Sequence, residues 1–401
     1  MCTWKLSARL SGVKVCGLIL VILALHGTAD VMESPNNRNA YVDFVLNPNS
    51  SASVLQGFKK RSTTAVVYIC FNRTALIEPA LESVLRSEDL HKFDFIISQD
   101  GGSAAPLNPK VPNNTNYVYI HHKENLNTGI QDFFVKQLAF EVLGYESLIV
   151  IEEDVVIHPQ AIQMLKFMLD MSIDDLEIGL VSIIDVDNSF FIDMGRYNSS
   201  VHRVAITEGH LWMYGIHATR YRAVREHLLE YTGIIRHEDF ESLHKDTVAA
   251  RIRAMHKRKG IPLNIALSQD GNLIFSLRLE GFDRRLNTVA RFYRPLGYWG
   301  VHFRDDKESF FGRFGTEMFG GRVQLPPKET TCEDMVDMAE TCRARLDELF
   351  MRHLGRHPDE KARNFAVSRL LGGNMNGVVL TSCVTRTAKR RTPECREMYW
   401  V

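Results

Sequence analysis

The sequence lacks the features of several protein classes. Proline is scarce, with 13 residues in 401, and no fixed-period repeat is present, which excludes collagen-like chains, solenoids and propellers. Charge of one sign is not in excess either, because 48 basic residues balance 48 acidic ones. Without a net positive charge the chain has no field that attracts nucleic acid, so we expect no nucleic-acid partner. Its length and its 45% hydrophobic content are those of a globular protein with one large or two medium domains.

Cysteine is also sparse, and most of it lies near one end of the chain. Four of the seven cysteines fall within residues 305–401, namely Cys332, Cys342, Cys383 and Cys395. No CxxC or Cys/His spacing supports a zinc site. In an oxidising compartment these four would pair as disulfides, and the sequence leaves all three connectivities open.

Long apolar runs are missing except at the N-terminus. Residues 15–25 form an uninterrupted apolar run that follows three basic residues, which is the pattern of a secretory signal. Gly27 and Ala29 resemble a cleavage site, whereas insertion of the whole segment would make a type II anchor. We therefore predict a signal peptide or signal anchor over residues 1–29, and only the anchor would attach the protein to a membrane.

The remainder of the chain divides into a linker and an α/β body. Residues 30–63 are rich in Asn, Ser and Pro and show little periodicity, so they predict a stem or linker. Beyond them, short apolar runs alternate with segments of helical periodicity, which predicts a mostly parallel sheet flanked by helices. The predicted strands are residues 65–71, 93–98, 117–121 and 148–151.

Polar groups follow these strands at the ends where parallel sheets bind ligands. Arg73 follows the first strand, Asp100 the second, and the triplet Glu152, Glu153 and Asp154 the fourth. Three consecutive carboxylates repel one another, and a hard divalent cation is the usual compensation. Apolar runs on both sides of the triplet favour a cation site over a solvated loop.

Two further residues are candidates for chemistry. Asp270 lies between an apolar run and a helical segment, so it is either the cap of that helix or a catalytic carboxylate. His302 lies among aromatic and basic residues, and it is either a ligand for a metal or phosphate or a packed structural residue.

Taken in order, these segments resemble the inverting nucleotide-sugar transferases of the GT-A fold, specifically the N-acetylglucosaminyltransferase I family. The resemblance implies a GT-A catalytic domain over residues 64–304 and a C-terminal extension over residues 305–401. The acidic triplet is Glu-Glu-Asp here, where the family favours Glu-Asp-Asp, and the family's tryptophan-flanked acid pair is reduced to Gln269 and Asp270.

The resemblance also implies a role for each donor-side candidate. Arg73 and Asp100 would contact the uridine diphosphate of a UDP-sugar, with Asp100 beside the uracil. Glu152 and Glu153 would lie beside the ribose and the donor sugar.

Metal and catalytic roles are implied in the same way. Asp154 would coordinate Mn²⁺, and His302 is a second candidate ligand. Asp270, which precedes Arg291 by about the family's spacing, would be the catalytic base.

These expectations combine into one functional hypothesis. The protein would be a lumenal, metal-dependent inverting glycosyltransferase that transfers GlcNAc from UDP-GlcNAc to a glycan or glycoprotein acceptor, in the Golgi membrane or lumen with type II orientation. Two alternatives stay open: a catalytically silent transferase-like lectin, and a GT-A hexosyltransferase with another donor. Four sequons would be available for glycosylation in that compartment, at Asn49, Asn72, Asn113 and Asn198.

Overall fold

The computed structural model of the protein describes residues 38–55, 57–183, 201, 203–206, 211–239, 245–260, 266–282, 284–297 and 318–336. Several sequence predictions concern residues outside these ranges: the targeting segment 1–29, the sequon at Asn198, His302, and Cys342, Cys383 and Cys395. The other three sequon asparagines are exposed. In the described part of the chain, no helix has both the length and the apolar character needed to cross a bilayer.

Strands make up the centre of the molecule. They are β1 (Thr64–Cys70), β2 (Asp94–Gln99), β3 (Asn116–His121), β4 (Ser147–Glu152), β5 (Val155–Ile157), β6 (Ile178–Ser182), β7 (Val204–Ile206), β8 (Met213–His217), β9 (Arg284–Thr288) and β10 (Tyr293–Pro295). The helices are α1 (Arg38–Val45), α2 (Pro48–Ser51), α3 (Thr74–Leu85), α4 (Thr128–Gln137), α5 (Ala161–Ser172), α6 (Ala218–Ile235), α7 (Asp246–Arg258), α8 (Gln269–Leu279) and α9 (Cys332–Met335). Short 3₁₀ segments cover Ala52–Leu55 and Leu90–Lys92, and a π-helical turn, Leu138–Val142, continues α4.

Eight strands form one sheet in the order β3-β2-β1-β4-β8-β6-β9-β7, and β5 and β10 form a separate pair. The first four strands in this order, β3, β2, β1 and β4, run parallel to one another. This confirms the predicted α/β fold with a mostly parallel sheet flanked by helices. The second half of the sheet is mixed, because β8 runs antiparallel to both β4 and β6. This antiparallel strand was not predicted.

The central strand β1 shows why the sheet has helices on both faces. All seven of its residues are buried, as expected of a parallel strand covered on both sides. Val66, Tyr68 and Cys70 join the core beneath α3 and α5, whereas Ala65 and Val67 join the core beneath α4, α6 and α8. The sheet therefore separates two hydrophobic cores, and its strand ends are free to carry polar groups.

The predicted stem is too long. Residues 38–55 fold as helices on the body, and Tyr41, Val42 and Val45 of α1 are fully buried. Arg38 donates to the backbone carbonyl oxygen of Asn125 at 2.7 Å, which fastens α1 to the loop before α4. Three apolar side chains on one face of a short helix were enough to anchor this segment, although its composition is typical of a linker.

Candidate active site

Parallel pairing brings the predicted site residues to one edge of the sheet. Cys70 is in register with Gln99, and Ile69 is in register with Glu152, so β1, β2 and β4 end side by side. Asp100 directly follows β2, and the acidic triplet begins at Glu152, the last residue of β4. The prediction that Asp100 and Asp154 share one edge is therefore confirmed.

Arg73 is held at this edge by two members of the triplet. Its Nε lies 2.6 Å from Glu153 Oε1, and its Nη2 lies 3.0 Å from Asp154 Oδ1. The two carboxylates raise the pKa of the Arg73 guanidinium above its ordinary value, although burial opposes them. The guanidinium therefore stays charged and presents a fixed positive group at the strand ends.

Glu153 is the member of the triplet that orients Arg73. Its side chain is only 6% exposed, and its second oxygen, Oε2, accepts a hydrogen bond from the backbone N–H of Phe71 at 2.9 Å. Burial raises the pKa of Glu153, and Arg73 opposes the rise. Both oxygens are thus engaged by the protein itself, so Glu153 orients Arg73, and its place beside the donor stays a prediction.

Asp154 lies against the backbone of Leu296 and Gly297. The backbone N–H of Leu296 donates to the Asp154 carbonyl oxygen, and a Cβ added to Gly297 would lie 3.2 Å from Asp154 Oδ1. A side chain at position 297 would therefore crowd this carboxylate. The pairing of β10 with β5 brings the segment to this position.

Asp154 is the one carboxylate at this edge that could contribute to a cation shared with a substrate, among the residues that the structure describes. Within the described residues, no group of three His, Cys, Asp or Glu side chains is arranged to hold a metal ion by itself. A Mg²⁺-type ion commonly binds through one or two carboxylates and takes its other ligands from water and substrate phosphates. Asp154 can serve as such a carboxylate, beside the positive charge of Arg73.

Asp100 is a buried carboxylate that ties two strand-end loops together. Its Oδ1 accepts hydrogen bonds from the backbone N–H groups of Gly101 at 2.9 Å and Leu126 at 2.7 Å. Burial raises the pKa of Asp100 to about 7, and the backbone hydrogen bonds oppose the rise. These contacts fix the start of α4 against the end of β2.

On the other face of the sheet, Glu152 and Asp270 come together. Side chains alternate along β4, so Glu152 lies on the face covered by α4, α6 and α8 and Glu153 on the opposite face. Burial raises the pKa of Glu152 well above its ordinary value, and the charges of Asp270 and Asp154 add to the effect. Burial likewise raises the pKa of Asp270, with a further contribution from Asp132. The structure thus brings the predicted base close to the end of β4.

The start of α8 excludes the capping interpretation of Asp270, while its catalytic role stays a prediction. Ser268 is the N-cap, since its hydroxyl accepts a hydrogen bond from the backbone N–H of Gly271 at 3.3 Å. Asp270 lies in the first turn and does not cap the helix. The chain turns so tightly here that a Cβ on Gly271 would lie 2.2 Å from the carbonyl oxygen of Ala266. Asp270 is therefore free for another role.

Sequence analysis missed the charged residues that surround Asp270. Lys136 and Asp132 form an ion pair within α4, and the Lys136 side chain is fully buried. The hydroxyl of Tyr214 donates to Asp132 Oδ1 at 3.2 Å. Arg285 on β9 is also close enough to lower the pKa of Asp270. The i,i+4 spacing of Asp132 and Lys136 in a helix with apolar neighbours was the available signal.

Comparisons with known proteins show only a distant similarity to solved structures. The chain matches no protein-family model and no curated protein sequence. It is similar to the solved glycosyltransferase GlyE of Streptococcus pneumoniae TIGR4, with 11% identity over 49% of this chain and 44% of that chain and a TM-score of 0.28. It is also similar to the galactosyltransferase LgtC, with 14% identity over 63% of this chain and 84% of that chain and a TM-score of 0.31. For residues 1–349 of S. aureus TarS, the identity is 10% over 84% of this chain and 77% of that chain, with a TM-score of 0.34. The chain thus spans less than half of the length of the pneumococcal protein, and likeness at this level defines neither its family nor its substrate.

Proposed function

We propose that the protein is a metal-dependent glycosyltransferase that uses a nucleotide-sugar donor and inverts the anomeric configuration. One observation carries the proposal: a single sheet edge has the Arg73 and Asp154 pair on one side of β4 and the Glu152 and Asp270 pair on the other. A donor that lies across the end of β4 would meet a group for its diphosphate and a group for its reacting sugar.

The diphosphate end would bind at Arg73. A guanidinium oriented by Glu153 offers N–H donors in a fixed geometry, which suits phosphate oxygens. Asp100 directly follows the neighbouring strand β2, on the side where we expect the uridine. Because Asp154 is half-buried beside Arg73, the approach of a diphosphate and a cation would replace their mutual ion pair with contacts to the ligand.

Asp154 would hold a divalent ion, for which we propose Mn²⁺, and His302 is the second ligand that we propose. When bound, such an ion neutralises the charge that develops on a leaving diphosphate. Arg73 supplies positive charge at the same place through the protein alone.

Asp270 would take the proton from the attacking acceptor hydroxyl. A carboxylate is a more effective general base when its pKa is raised toward the working pH, and burial raises that of Asp270. Glu152 would lie on the sugar side of the same cleft. Attack from the Asp270 side, opposite to the leaving diphosphate, would give a single displacement with inversion. UDP-GlcNAc as the donor, a glycan or glycoprotein as the acceptor and a Golgi location are the specific form of this proposal, and the sequence resemblance supports them.

The test is release of UDP from a panel of UDP-sugars with a mixture of glycan acceptors, in Mn²⁺ and in chelator. We expect release that needs Mn²⁺, is greatest with UDP-GlcNAc and fails in Asp270→Asn. The matched control is Asp170→Asn, an exposed carboxylate on α5 whose loss should change nothing. Release with a different sugar would retain the transferase and replace the donor. Donor binding without release from any sugar would instead support the silent lectin.

A further inference from the structure

Arg38 of α1 binds three backbone carbonyl oxygens that belong to two other segments. Its Nε donates to Asn125 at 2.7 Å, and its Nη2 donates to Leu126 at 3.2 Å and to Glu238, which follows α6, at 2.8 Å. A guanidinium carries its N–H donors in a rigid planar fork, so one side chain can hold several acceptors at fixed positions. Arg38 therefore joins α1, the loop between β3 and α4 and the end of α6 at a single point.

The loop that Arg38 holds has a strained backbone. Asn127 has a φ of 70° and a ψ of 158°, a region that is nearly restricted to glycine, and among the described residues no other non-glycine residue has a positive φ. Its Nδ2 donates at 2.7 Å to the same Glu238 carbonyl oxygen that accepts from Arg38. Such a backbone conformation persists only when its surroundings impose it. The shared contacts of Arg38 and Asn127 with Glu238 supply part of that constraint.

The same loop fixes Asp100. Leu126 is held from both sides, because its N–H donates to Asp100 Oδ1 at 2.7 Å and its carbonyl oxygen accepts from Arg38. The loops that follow β2 and β3 also leave no space between them, since a Cβ added to Gly101 would lie 1.9 Å from the carbonyl oxygen of His122. A displacement of the loop at Leu126 would therefore move Asp100 or break its hydrogen bond.

We propose that Arg38 is a positioning residue for the nucleotide end of the donor, because it holds the loop at Leu126 in the conformation that keeps Asp100 in place for the base. The inference rests on the proposed function, in which Asp100 lies beside the uracil and Arg73 beside the diphosphate. Arg38 acts through Asp100 and not by contact with the donor. Helix α1, which has the composition of a linker, thereby takes part in donor binding.

The two ends of the donor should respond differently to the loss of Arg38. In Arg38→Gln the loop would leave its strained conformation in part of the molecules, and the apparent affinity falls with the fraction that keeps it. A fraction of about a tenth would weaken UDP binding about tenfold. The affinity for inorganic pyrophosphate, which has no nucleoside, should stay the same. Arg73→Gln should instead weaken the binding of both ligands.

The measurement is calorimetric titration of UDP and of pyrophosphate, each in Mn²⁺, into the full-length wild type, Arg38→Gln and Arg236→Gln. Arg236 is the matched control, because its Nε pairs with Asp43 Oδ1 at 2.5 Å. It thus also fastens α1 to the end of α6, but through a side chain of α1 and not through the loop. Arg236→Gln should bind both ligands like the wild type.

Steady-state kinetics separate positioning from a loss of folded protein. Arg38→Gln should raise the KM for the UDP-sugar by about tenfold and leave kcat nearly unchanged, since the loss affects donor binding and not the reacting groups. A variant that was merely unfolded in part would instead lower kcat and the number of binding sites at unchanged affinity. If thermal unfolding shows that Arg38→Gln does not fold, Arg38→Lys keeps the charge, loses the fork and should show a smaller loss of UDP affinity.

The inference is overturned if the folded Arg38 variant binds UDP like the wild type, or if it loses affinity for pyrophosphate by the same factor as for UDP. A wild type that binds neither ligand would contradict the proposed function and this inference with it. A selective loss of UDP affinity in a protein that transfers no sugar would support the inference and contradict the transferase function.

Discussion

Replacing Asp270 with Asn is the most informative single change at the site. The substitution keeps the size and shape of the side chain and removes its negative charge. Ser268, not Asp270, caps α8, so the helix start should survive the change. Loss of the charge also relieves repulsion from Asp132 and Glu152. We therefore expect a variant that folds and is at least as stable as the wild type at neutral pH.

The effect on activity should be large by contrast. An amide cannot accept the proton of the acceptor hydroxyl, and loss of a general base lowers turnover by roughly 10² to 10⁴. Such a fall corresponds to about 3 to 5 kcal/mol of transition-state stabilisation. Because Asp270 lies on the far side of β4 from Arg73 and Asp154, the affinity for UDP should stay the same.

The assay combines turnover at saturating donor and acceptor with calorimetric titration of UDP and thermal unfolding, each on wild type, Asp270→Asn and Asp170→Asn. The expected pattern is a loss of kcat in Asp270→Asn alone, with unchanged UDP affinity and an unfolding temperature no lower than that of the wild type. Retention of more than about a tenth of wild-type turnover would refute the role of Asp270 as the base. Loss of UDP affinity together with turnover would show that the substitution disturbs the donor site.

Three further predictions follow from neighbouring contacts. Arg73→Gln should weaken UDP binding by about tenfold or more in calorimetry. It should also lower the unfolding temperature, because Glu153 loses its buried partner. Unchanged UDP affinity would show that Arg73 does not bind the donor. Burial raises the folded-state pKa of Asp100 to about 7, so ionisation of this carboxyl should cost stability progressively between about pH 4 and pH 7. In urea unfolding, the free energy of unfolding of Asp100→Asn should therefore match that of the wild type near pH 4 and exceed it at pH 8 by up to about 4 kcal/mol. A difference in this free energy that does not change with pH would contradict the prediction. Gly271→Ala should reduce turnover and stability together, since the added methyl group would meet the Ala266 carbonyl oxygen; kinetics and melting like those of the wild type would show that the turn relaxes easily.

The parallel half of the fold was predictable because its strands are short apolar runs that end in polar residues. The alternation of β1, α3 and β2 gave the direction of the strands, and the rule for strand ends then grouped Arg73, Asp100 and Asp154. The antiparallel strand β8 was not predictable in this way. Gly215 in its middle weakens the strand signal of this short sequence, and the pairing with β4 on one side and β6 on the other makes it a strand.

The missed parts of the site depend on contacts between distant segments. Tyr41 and Val45 lie within a polar stretch, so their burial depends on a surface that the rest of the chain provides. Asp132 and Lys136 have the spacing of an exposed ion pair, which is the usual position of such residues. Their burial results from the packing of α6 and α8 over α4, and helical periodicity in one segment carries no information about that packing.

The central claim is that this sheet edge binds a nucleotide diphosphate through a divalent cation at Asp154. Calorimetric titration of UDP into the wild type and Asp154→Asn, in Mn²⁺ and in chelator, tests it most directly. We predict that chelator weakens wild-type binding by about tenfold or more, equivalent to about 1.4 kcal/mol, and that Asp154→Asn binds weakly in both conditions while its fold is unchanged. Wild-type affinity that is the same in Mn²⁺ and in chelator would contradict the claim.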